Sequence, residues 1–418
     1  MSLQSELITI AKQAQKAARF LSVVSTAEKN KALKAMAQGL LKNSKAIIMA
    51  NKNDIQSAKK ENRNSAFIDR LTLSQSGIKK MSEDLLSVAD LADPISAVIK
   101  TWQRPNGLVL SKVRVPLGVI GIIYESRPNV TSDCAGLCLK TGNAVILRGG
   151  KESFHSNLAI YKVISSALVK VNFPQGCINL IQTTDRQAVS EMLKLNDYID
   201  LIIPRGGESL IRSVVENSRI PVIKHYKGIC HTYIDKYADF TMAQEVAFNA
   251  KVQRPSTCNA MECLLVHSAI AEKFLPQMIK RLQTAGVEIR GCEKTVKLIP
   301  GIKLASKQDY ATEYLDLILN VKIVSSLKQA IEHITKYGSK HSEAIITENL
   351  RNGMNFQKSV DAACVYLNAS TRFTDGNQFG LGAEIGVSTD KLHARGPMGL
   401  EELTTYKYII MGNGQIRT

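Results

Sequence analysis

A repeated strand–glycine–helix pattern constrains the fold of this 418-residue chain more than any other feature. One copy occupies residues 143–153 and the other residues 198–216; in each, an apolar strand ends in Arg-Gly-Gly and a helix follows. Strands that alternate with helices indicate a parallel sheet, so the chain is expected to be an α/β protein. Free N–H groups at such a turn suit a phosphate, although two adjacent glycines also simply make a tight connection. Neither copy is the G-x-G-x-x-G fingerprint, and an ordinary Rossmann assignment is therefore not supported.

A second informative segment surrounds Cys258. A helical run over Thr241–Lys251 is stopped by Pro255, and a turn of small residues then presents Cys258 before an apolar strand, Cys263–Val266. A thiol on such a turn is reachable by substrate, and its backbone N–H is available to an oxyanion. A small buried cysteine is the commoner alternative, and this segment alone favours neither interpretation.

Composition narrows the class of protein. The formal net charge is +17, but Lys and Arg are spread along the chain, without a basic block or a nucleic-acid motif. An anionic small molecule is therefore a better expected partner than nucleic acid. The eight cysteines form no disulfide framework and no metal-ligand pattern. With neither a signal peptide nor an apolar run of membrane length, the protein is expected to be soluble and cytoplasmic, with no membrane partner.

The flanking regions have their own local signals. Residues 1 to about 95 read as helices, one of which opens with a capping box at Ser25–Glu28. Asn106-Gly107 predicts a hairpin within residues 101–113, and residues 404–411 read as a final strand able to pair with it. A hairpin this small needs another surface, plausibly a second subunit. Residues 313–321 read as a strand, and residues 372–386 as a glycine-rich loop lining a cleft.

Several ordered motifs closely resemble the gamma-glutamyl phosphate reductase family, within the aldehyde dehydrogenase superfamily. The resemblance extends from about residue 5 to the C-terminus. The motifs are Pro116–Gly121, Ser126–Thr131, Gly142–Lys151, Gln253–Ala260, Tyr337–Glu343, Phe379–Gly386 and His393–Leu400.

The family resemblance implies an aldehyde-dehydrogenase-like α/β fold, with two Rossmann-like domains and a small β oligomerisation hairpin. The expected cofactor-binding domain comprises residues 1–100, 114–220 and 372–395, and the catalytic domain residues 221–371. Residues 101–113 and 396–418 would form the oligomerisation element of a homo-oligomer.

The same resemblance assigns roles to individual residues. Cys258 matches the nucleophile and Asn129 the oxyanion-binding asparagine. NADPH is the implied cofactor. The implied substrate is L-glutamyl 5-phosphate, which would be reduced to the semialdehyde for proline biosynthesis. The expected cofactor-binding residues are Arg148, Gly149, Lys151, Gly206, Gly207, Glu208 and Glu313, and the expected substrate-binding residues are Arg254, His341 and Ser342. The sequence leaves open whether a glutamate 5-kinase delivers the acyl phosphate through a transient contact.

One departure from the wider superfamily is informative. Hydrolysing relatives carry a Glu-Leu-Gly-Gly segment whose glutamate activates water, whereas residues 224–228 here contain no carboxylate. The absent glutamate favours phosphate over water as the acyl acceptor and argues against a hydrolysing aldehyde dehydrogenase. A non-catalytic nucleotide-binding protein is the other alternative, and the presence of Cys258, Asn129 and Glu313 opposes it. No metal site is predicted.

Overall fold

The computed structural model describes residues 2–224 and 226–417, apart from the side chains of Ser65 and Ala66. The chain forms two compact units. The first contains residues 1–224, 380–386 and 398–418, and the second contains residues 225–379 and 387–397. The stretch 372–395, expected within one domain, is therefore divided between the units. The assignment of cofactor binding to one domain and catalysis to the other stays a prediction.

Fourteen helices and sixteen strands are found among the described residues. The helices are α1 (Leu3–Leu21), α2 (Thr26–Lys42), α3 (Ser44–Lys60), α4 (Ser65–Leu71), α5 (Gln75–Asp90), α6 (Val130–Lys140), α7 (Phe154–Lys170), α8 (Gln187–Met192), α9 (Glu208–Asn217), α10 (Phe240–Val252), α11 (Ser268–Thr284), α12 (Glu293–Leu298), α13 (Leu327–Tyr337) and α14 (Leu350–Ser359). The strands are β1 (Val98–Gln103), β2 (Val109–Pro116), β3 (Val119–Tyr124), β4 (Ala144–Gly149), β5 (Ile178–Leu180), β6 (Leu201–Arg205), β7 (Cys230–Ile234), β8 (Met261–His267), β9 (Glu288–Gly291), β10 (Lys303–Leu304), β11 (Ile318–Val324), β12 (Ser342–Ile346), β13 (Cys364–Leu367), β14 (Val387–Ser388), β15 (Gly396–Pro397) and β16 (Thr404–Met411).

The first unit is built on a four-stranded parallel sheet with the order β5-β4-β3-β6. Its central strand, β3, is buried along its whole length, as expected for a strand covered on both faces. Tyr124 at the end of β3 lies opposite Gly149 of β4 and Arg205 of β6. Both Arg-Gly-Gly turns therefore flank the carboxyl end of β3, which confirms the predicted parallel arrangement.

The helical N-terminal region and the hairpin also match their local signals. The capping box is present: Ser25 Oγ accepts from the Glu28 N–H, and the Glu28 carboxylate accepts from the Ser25 N–H. The hairpin closes through a three-residue loop, because the Arg104 N–H donates to the Leu108 carbonyl at 2.8 Å and Gly107 adopts a φ of +87°. Its strand β2 pairs with β1 on one side and with β16 on the other in a three-stranded antiparallel sheet, so the predicted pairing of the final strand with the hairpin is confirmed.

The second unit is built on a seven-stranded parallel sheet with the order β10-β9-β11-β8-β7-β12-β13. β7, β8 and β12 occupy neighbouring central positions and are almost entirely buried. The strand predicted over 313–321 was wrong in its first half, since β11 begins only at Ile318. The reason is local: Leu315 has a φ of +54°, which a strand does not accommodate. Between residues 2 and 417, with His225 excepted, no helix has the length and apolar character needed to cross a bilayer.

Candidate active site

Residues of the candidate active site in the second unit meet at one edge of the seven-stranded sheet. Gly228 precedes β7, Cys258 precedes β8, Glu313 precedes β11 and His341 precedes β12. Because these strands are parallel neighbours, the segments before them lie at the same, amino-terminal edge. Residues separated by more than one hundred positions are thus brought together around the predicted nucleophile.

The turn that carries Cys258 is short and internally hydrogen-bonded. After α10 ends, the Thr257 hydroxyl donates to the Arg254 carbonyl at 2.9 Å, and the Ala260 N–H donates to the Thr257 carbonyl at 3.0 Å. Cys258 is half-buried, whereas six of the eight cysteines are fully buried. Its backbone N–H meets no acceptor within the described part of the chain. The thiol therefore lies on an accessible turn beside an available N–H donor, which is the geometry expected for an acyl-transferring cysteine.

Gly228 lies directly against the backbone of Cys258. A Cβ atom built on Gly228 would come within 1.8 Å of the Cys258 carbonyl oxygen, so only glycine fits here. The Gly228 N–H donates to Glu313 Oε1 at 2.8 Å. Glu313 thus holds the segment that borders the nucleophile, while its predicted contact with the cofactor ribose stays a prediction. His225, within the segment that lacks the superfamily glutamate, lies outside the described residues.

Arg372 is a site residue that sequence reasoning missed. It lies in a short 3-10 turn after β13, and its guanidinium donates to the side-chain oxygen of Asn259, the residue next to Cys258. Its Nε donates to Gln253 Oε1 at 2.9 Å. The pKa of Arg372 is lowered by loss of hydration and by the nearby charge of Arg254, whereas Cys258 acts in the opposite direction. Two guanidinium groups therefore border the nucleophile.

The predicted substrate-binding residues differ in exposure. Arg254 is exposed, whereas His341 and Ser342 are fully buried. His341 Nδ1 lies 2.8 Å from Ser342 Oγ, which in turn lies 2.7 Å from the hydroxyl of Thr374. Burial favours a supporting role for the His341–Ser342 pair, and direct substrate contact by either residue stays a prediction.

Lys251 is close to Cys258 in sequence but serves another function. Its ammonium group is completely buried and lies 2.8 Å from Glu262 Oε2. Burial lowers the pKa of Lys251 and raises the pKa of Glu262 to about 7. The charge of Lys251 is thus engaged by a carboxylate inside the unit.

A buried polar cluster lies deeper in the same sheet. His231, Cys263 and His333 place one potential metal-ligand atom each within 4.8 Å of one another. The His333 ring has Lys322 Nζ at 3.1 Å from Nδ1 and Cys263 Sγ at 3.7 Å from Nε2. An ammonium donor at Nδ1 leaves the ring proton on Nε2, which therefore faces the sulfur as a donor and is not free to bind a metal. His231 Nδ1 lies 2.9 Å from Glu343 Oε2, while His231 Nε2 is buried without a partner among the described residues.

In the first unit, the Arg148 turn is closed by protein contacts. The Arg148 guanidinium donates to the carbonyls of Gly149, Thr184 and Asp185 at 2.9 to 3.1 Å. Its Nε is buried without a partner among the described residues. Lys151 is exposed and pairs with Glu61 at 3.2 Å. Arg148 therefore shapes this turn through its contacts with backbone carbonyls, and the exposed Lys151 is a second cation beside it.

The Gly206–Gly207 turn is more open. Helix α9 begins at Glu208 after the N-cap residue Gly207, whose N–H donates to Glu125 Oε2 at 2.9 Å. The carboxylate of Glu208 pairs with Arg212 on the following turn at 2.7 Å. The first N–H groups of α9 have no partner within the helix, which suits a pyrophosphate. The turn therefore fits the phosphate-bearing part of a dinucleotide.

Asn129 lies at the start of α6, also in the first unit. Its side-chain amide donates to Asp133 Oδ2 at 2.8 Å. Loss of hydration raises the pKa of Asp133 to about 7, and the Asn129 hydrogen bond acts in the opposite direction. Asp133 thus orients the amide that was predicted to bind the oxyanion, and that role stays a prediction.

Comparisons with known proteins agree with one another. Residues 2–311 match the aldehyde dehydrogenase family. The chain is 57% identical over 407 residues to gamma-glutamyl phosphate reductase from Caldanaerobacter subterraneus, covering 97% of this chain and 98% of the relative. It is also 57% identical over 417 residues to the Clostridium kluyveri protein of the same name, covering all of both chains. A crystal structure of gamma-glutamyl phosphate reductase from Thermotoga maritima superimposes with a TM-score of 0.97 at 48% identity, covering 99% of this chain and 100% of that one.

Proposed function

Because this chain belongs to the gamma-glutamyl phosphate reductase family of aldehyde dehydrogenases, we propose that it reduces L-glutamyl 5-phosphate to L-glutamate 5-semialdehyde and phosphate in proline biosynthesis. The observation that carries the proposal is the Cys258 turn, in which a half-buried thiol adjoins an available N–H donor. The Clostridium kluyveri relative covers this chain from end to end.

The chemistry begins at Cys258. Its thiolate attacks the carbonyl carbon of the acyl phosphate, the carbon–oxygen bond to phosphate breaks, and a thioester forms on the sulfur. The Cys258 N–H and the Asn129 amide are the proposed donors to the oxyanion, and removal of one such donor typically costs about 10²–10³ in rate. When bound, NADPH supplies the hydride that reduces the thioester to the aldehyde level. Asp133 keeps the Asn129 amide oriented.

Protection of the thioester from water follows from the segment beside Cys258. Gly228 lies against the Cys258 carbonyl, and Lys224–Gly228 contains no carboxylate to activate water. Glu313 Oε1 accepts the Gly228 N–H at 2.8 Å, so this oxygen is engaged by the backbone. We propose that phosphate, rather than water, is the acyl partner for this reason.

A nicotinamide cofactor is common to the family, and we propose NADPH in particular. The N–H groups in the first turn of α9, which follows Gly206 and Gly207 and begins at Glu208, support a pyrophosphate site. Lys151 is the exposed cation beside the Arg148–Gly149 turn and is proposed to select the 2′-phosphate. Glu313 is proposed to hold the nicotinamide ribose.

The test follows NADPH formation from the semialdehyde with and without inorganic phosphate. We expect turnover to require phosphate, to be faster with NADP⁺ than with NAD⁺, and to fall about 10³-fold or more in Cys258→Ala. Cys292→Ala is the matched control, since Cys292 is the other half-buried cysteine, and it should keep wild-type activity. Turnover that ignores phosphate, or an active Cys258→Ala protein, contradicts the proposal.

We also propose that the chain forms homo-oligomers in the cytoplasm. The β16 strand exposes Tyr406, Tyr408 and the apolar run Ile409–Met411, on a sheet whose outer strand β1 is exposed as well. An exposed apolar edge strand is a template for pairing with another chain. All eight cysteines are free thiols, which agrees with a reducing compartment. Sedimentation of wild-type protein and of Ile410→Lys measures the contribution of β16 to assembly.

Direct delivery of the acyl phosphate by a glutamate 5-kinase is tested by mixing the two proteins.

A further inference from the structure

Arg372 occupies a distinctive electrostatic position beside the nucleophile. Its two protein partners, Gln253 and Asn259, are neutral amides. Within residues 2–224 and 226–417, neither Arg372 nor Arg254 has a carboxylate oxygen within 4.0 Å. The buried Lys251, by contrast, is paired with Glu262. Two uncompensated guanidinium charges next to a thiol therefore indicate a site for an anion.

The guanidinium of Arg372 retains capacity for a ligand. Nε and Nη1 are engaged with Gln253 and Asn259, whereas Nη2 makes no hydrogen bond to the described part of the protein and is not sealed from solvent. The planar guanidinium group matches the geometry of phosphate oxygens, and its fixed anchoring reduces the entropy lost when an anion binds. Arg372 is thus held in place on one side and open on the other.

The position of Arg372 selects between the two anionic ends of the proposed substrate. The phosphoryl oxygen is bonded directly to the carbon that Cys258 attacks, whereas the α-carboxylate is separated from that carbon by three carbon atoms. Arg372 is anchored to Asn259, the immediate neighbour of Cys258. A cation at this position is therefore within reach of the phosphoryl group while the thiol attacks.

We propose that Arg372 is the residue that binds the phosphoryl group, with Arg254 providing a second charge at the exposed side of the same site. This inference rests on the proposed function. In the forward direction the sulfur–carbon bond forms, the carbon–oxygen bond breaks, and its electron pair leaves on the phosphate oxygen, where Arg372 stabilises the added charge. In the reverse direction Arg372 positions inorganic phosphate, whose oxygen attacks the thioester carbon and expels the Cys258 thiolate.

A purely structural role makes a different prediction. If Arg372 only fixed the Cys258 turn through Asn259, its replacement would change kcat and the KM for the semialdehyde and leave the KM for phosphate unchanged. A phosphate-binding role changes the KM for phosphate first. The two roles are therefore separated by the substrate whose KM changes.

The experiment measures the KM for inorganic phosphate at saturating semialdehyde and NADP⁺. We expect Arg372→Gln to raise it about 10- to 100-fold, the range of a lost hydrogen bond between charged groups. Arg372→Lys should raise it less, because the charge is kept and the planar fork is lost. Arg351→Gln, which removes an exposed charge on α14, is the matched control and should stay within about twofold of wild type.

A second measurement needs no turnover. Inorganic phosphate should slow alkylation of Cys258 by iodoacetamide in the wild-type protein, and Arg372→Gln should need about tenfold more phosphate for the same protection. An unchanged KM for phosphate in Arg372→Gln overturns the inference and leaves the proposed function intact. A rise in the KM for the semialdehyde alone also overturns it, since Arg372 would then contact the other end of the substrate. Wild-type turnover without phosphate contradicts the proposed function itself.

Discussion

The two Arg-Gly-Gly turns of the first unit have the same sequence and flank the same strand end, yet they differ in how their charges are used. Arg148 of the first turn is buried and donates to three backbone carbonyls. Arg205 of the second is half-buried and packs against Gly386, where an added Cβ would come within 2.4 Å of its guanidinium. Arg148 thus stabilises the loops that carry Gly149, Thr184 and Asp185, whereas Arg205 lies against the segment that contains Gly386.

The helices that follow the two turns, α7 and α9, also differ in whether protein groups satisfy the N–H groups of their first turns. At the start of α7, the carboxylate of Asp54 on α3 accepts from the N–H groups of His155 and Ser156 and from the Ser156 hydroxyl. At the start of α9 the Glu125 carboxylate accepts only from the N–H of Gly207, the residue before the helix, and no acceptor is found among the described residues for the N–H groups of Ser209 and Leu210. The protein therefore supplies a carboxylate to N–H groups inside the first turn of α7 and leaves the corresponding groups of α9 available. A cofactor pyrophosphate is therefore expected at α9, although the sequence motif is shared.

Of the changes that test this difference, replacing the acidic residue that lies beside each helix start should have the largest effect on stability. Asp54→Ala should lower the free energy of unfolding by about 2–3 kcal/mol, because two buried N–H groups and a hydroxyl lose their acceptor. Glu208→Ala should cost less than about 0.5 kcal/mol, since its pair with Arg212 is a surface contact one helical turn away. Urea denaturation measures both variants. Equal losses would mean that α7 and α9 are capped to the same extent and that the comparison is wrong.

The affinity for NADPH gives a second way to compare the two helix starts. Gly150 and Gly207 have nearly the same backbone conformation, with φ of −64° and −67°, so alanine is compatible with the backbone at both positions. Gly207→Ala should weaken NADPH binding about tenfold, because the methyl group obstructs close approach of a phosphate to the α9 N–H groups.

Gly150→Ala is the matched variant. Its methyl group would meet the Glu152 side chain, which can move, so NADPH affinity should stay within about twofold of wild type. Fluorescence titration with NADPH measures both dissociation constants. A reversed order, with Gly150→Ala the weaker binder, would place the pyrophosphate at the first turn.

Local signals allowed much of the fold to be predicted. The capping box at Ser25, the hairpin around Gly107 and the final strand at residues 404–411 each depend on neighbours within a few residues. The strand predicted from Glu313 failed because apolar alternation cannot reveal the positive φ of Leu315. Periodicity describes which side chains face a core, and it does not report a single residue in a rare backbone conformation.

The site was predictable only where a motif carries its own chemistry. Cys258 could be singled out, because its small-residue turn offers a reachable thiol and the ordered motifs around it favour a nucleophile over a buried cysteine. Arg372 could not, because its position depends on a contact with Asn259, 113 residues away. Asp54 and Ser156 are likewise 102 residues apart. Such pairs are set by how the strands and helices pack, and no spacing in the sequence records them.

The pH dependence of stability gives the smallest and most specific test. Burial raises the pKa of Asp54 in the folded protein, although the hydrogen bonds from Ser156 and His155 act in the opposite direction. A carboxyl group with a raised pKa holds its proton more tightly when folded, so it favours folding at low pH. This contribution declines as the pH rises from the ordinary value of 3.8 through the folded-state pKa, and above that pKa the decline is complete.

Asp54→Asn isolates this ionisation because asparagine has no proton to lose. The difference in unfolding free energy, wild type minus Asp54→Asn, should therefore fall with rising pH above 3.8 and then become constant. Urea denaturation between about pH 4 and 7 measures it. A difference that grows with pH would show that the positive end of α7 outweighs burial and lowers the pKa of Asp54. The start of α7 would then be a stronger anion site than the start of α9, and Asp54 would be the reason that a cofactor phosphate does not occupy it.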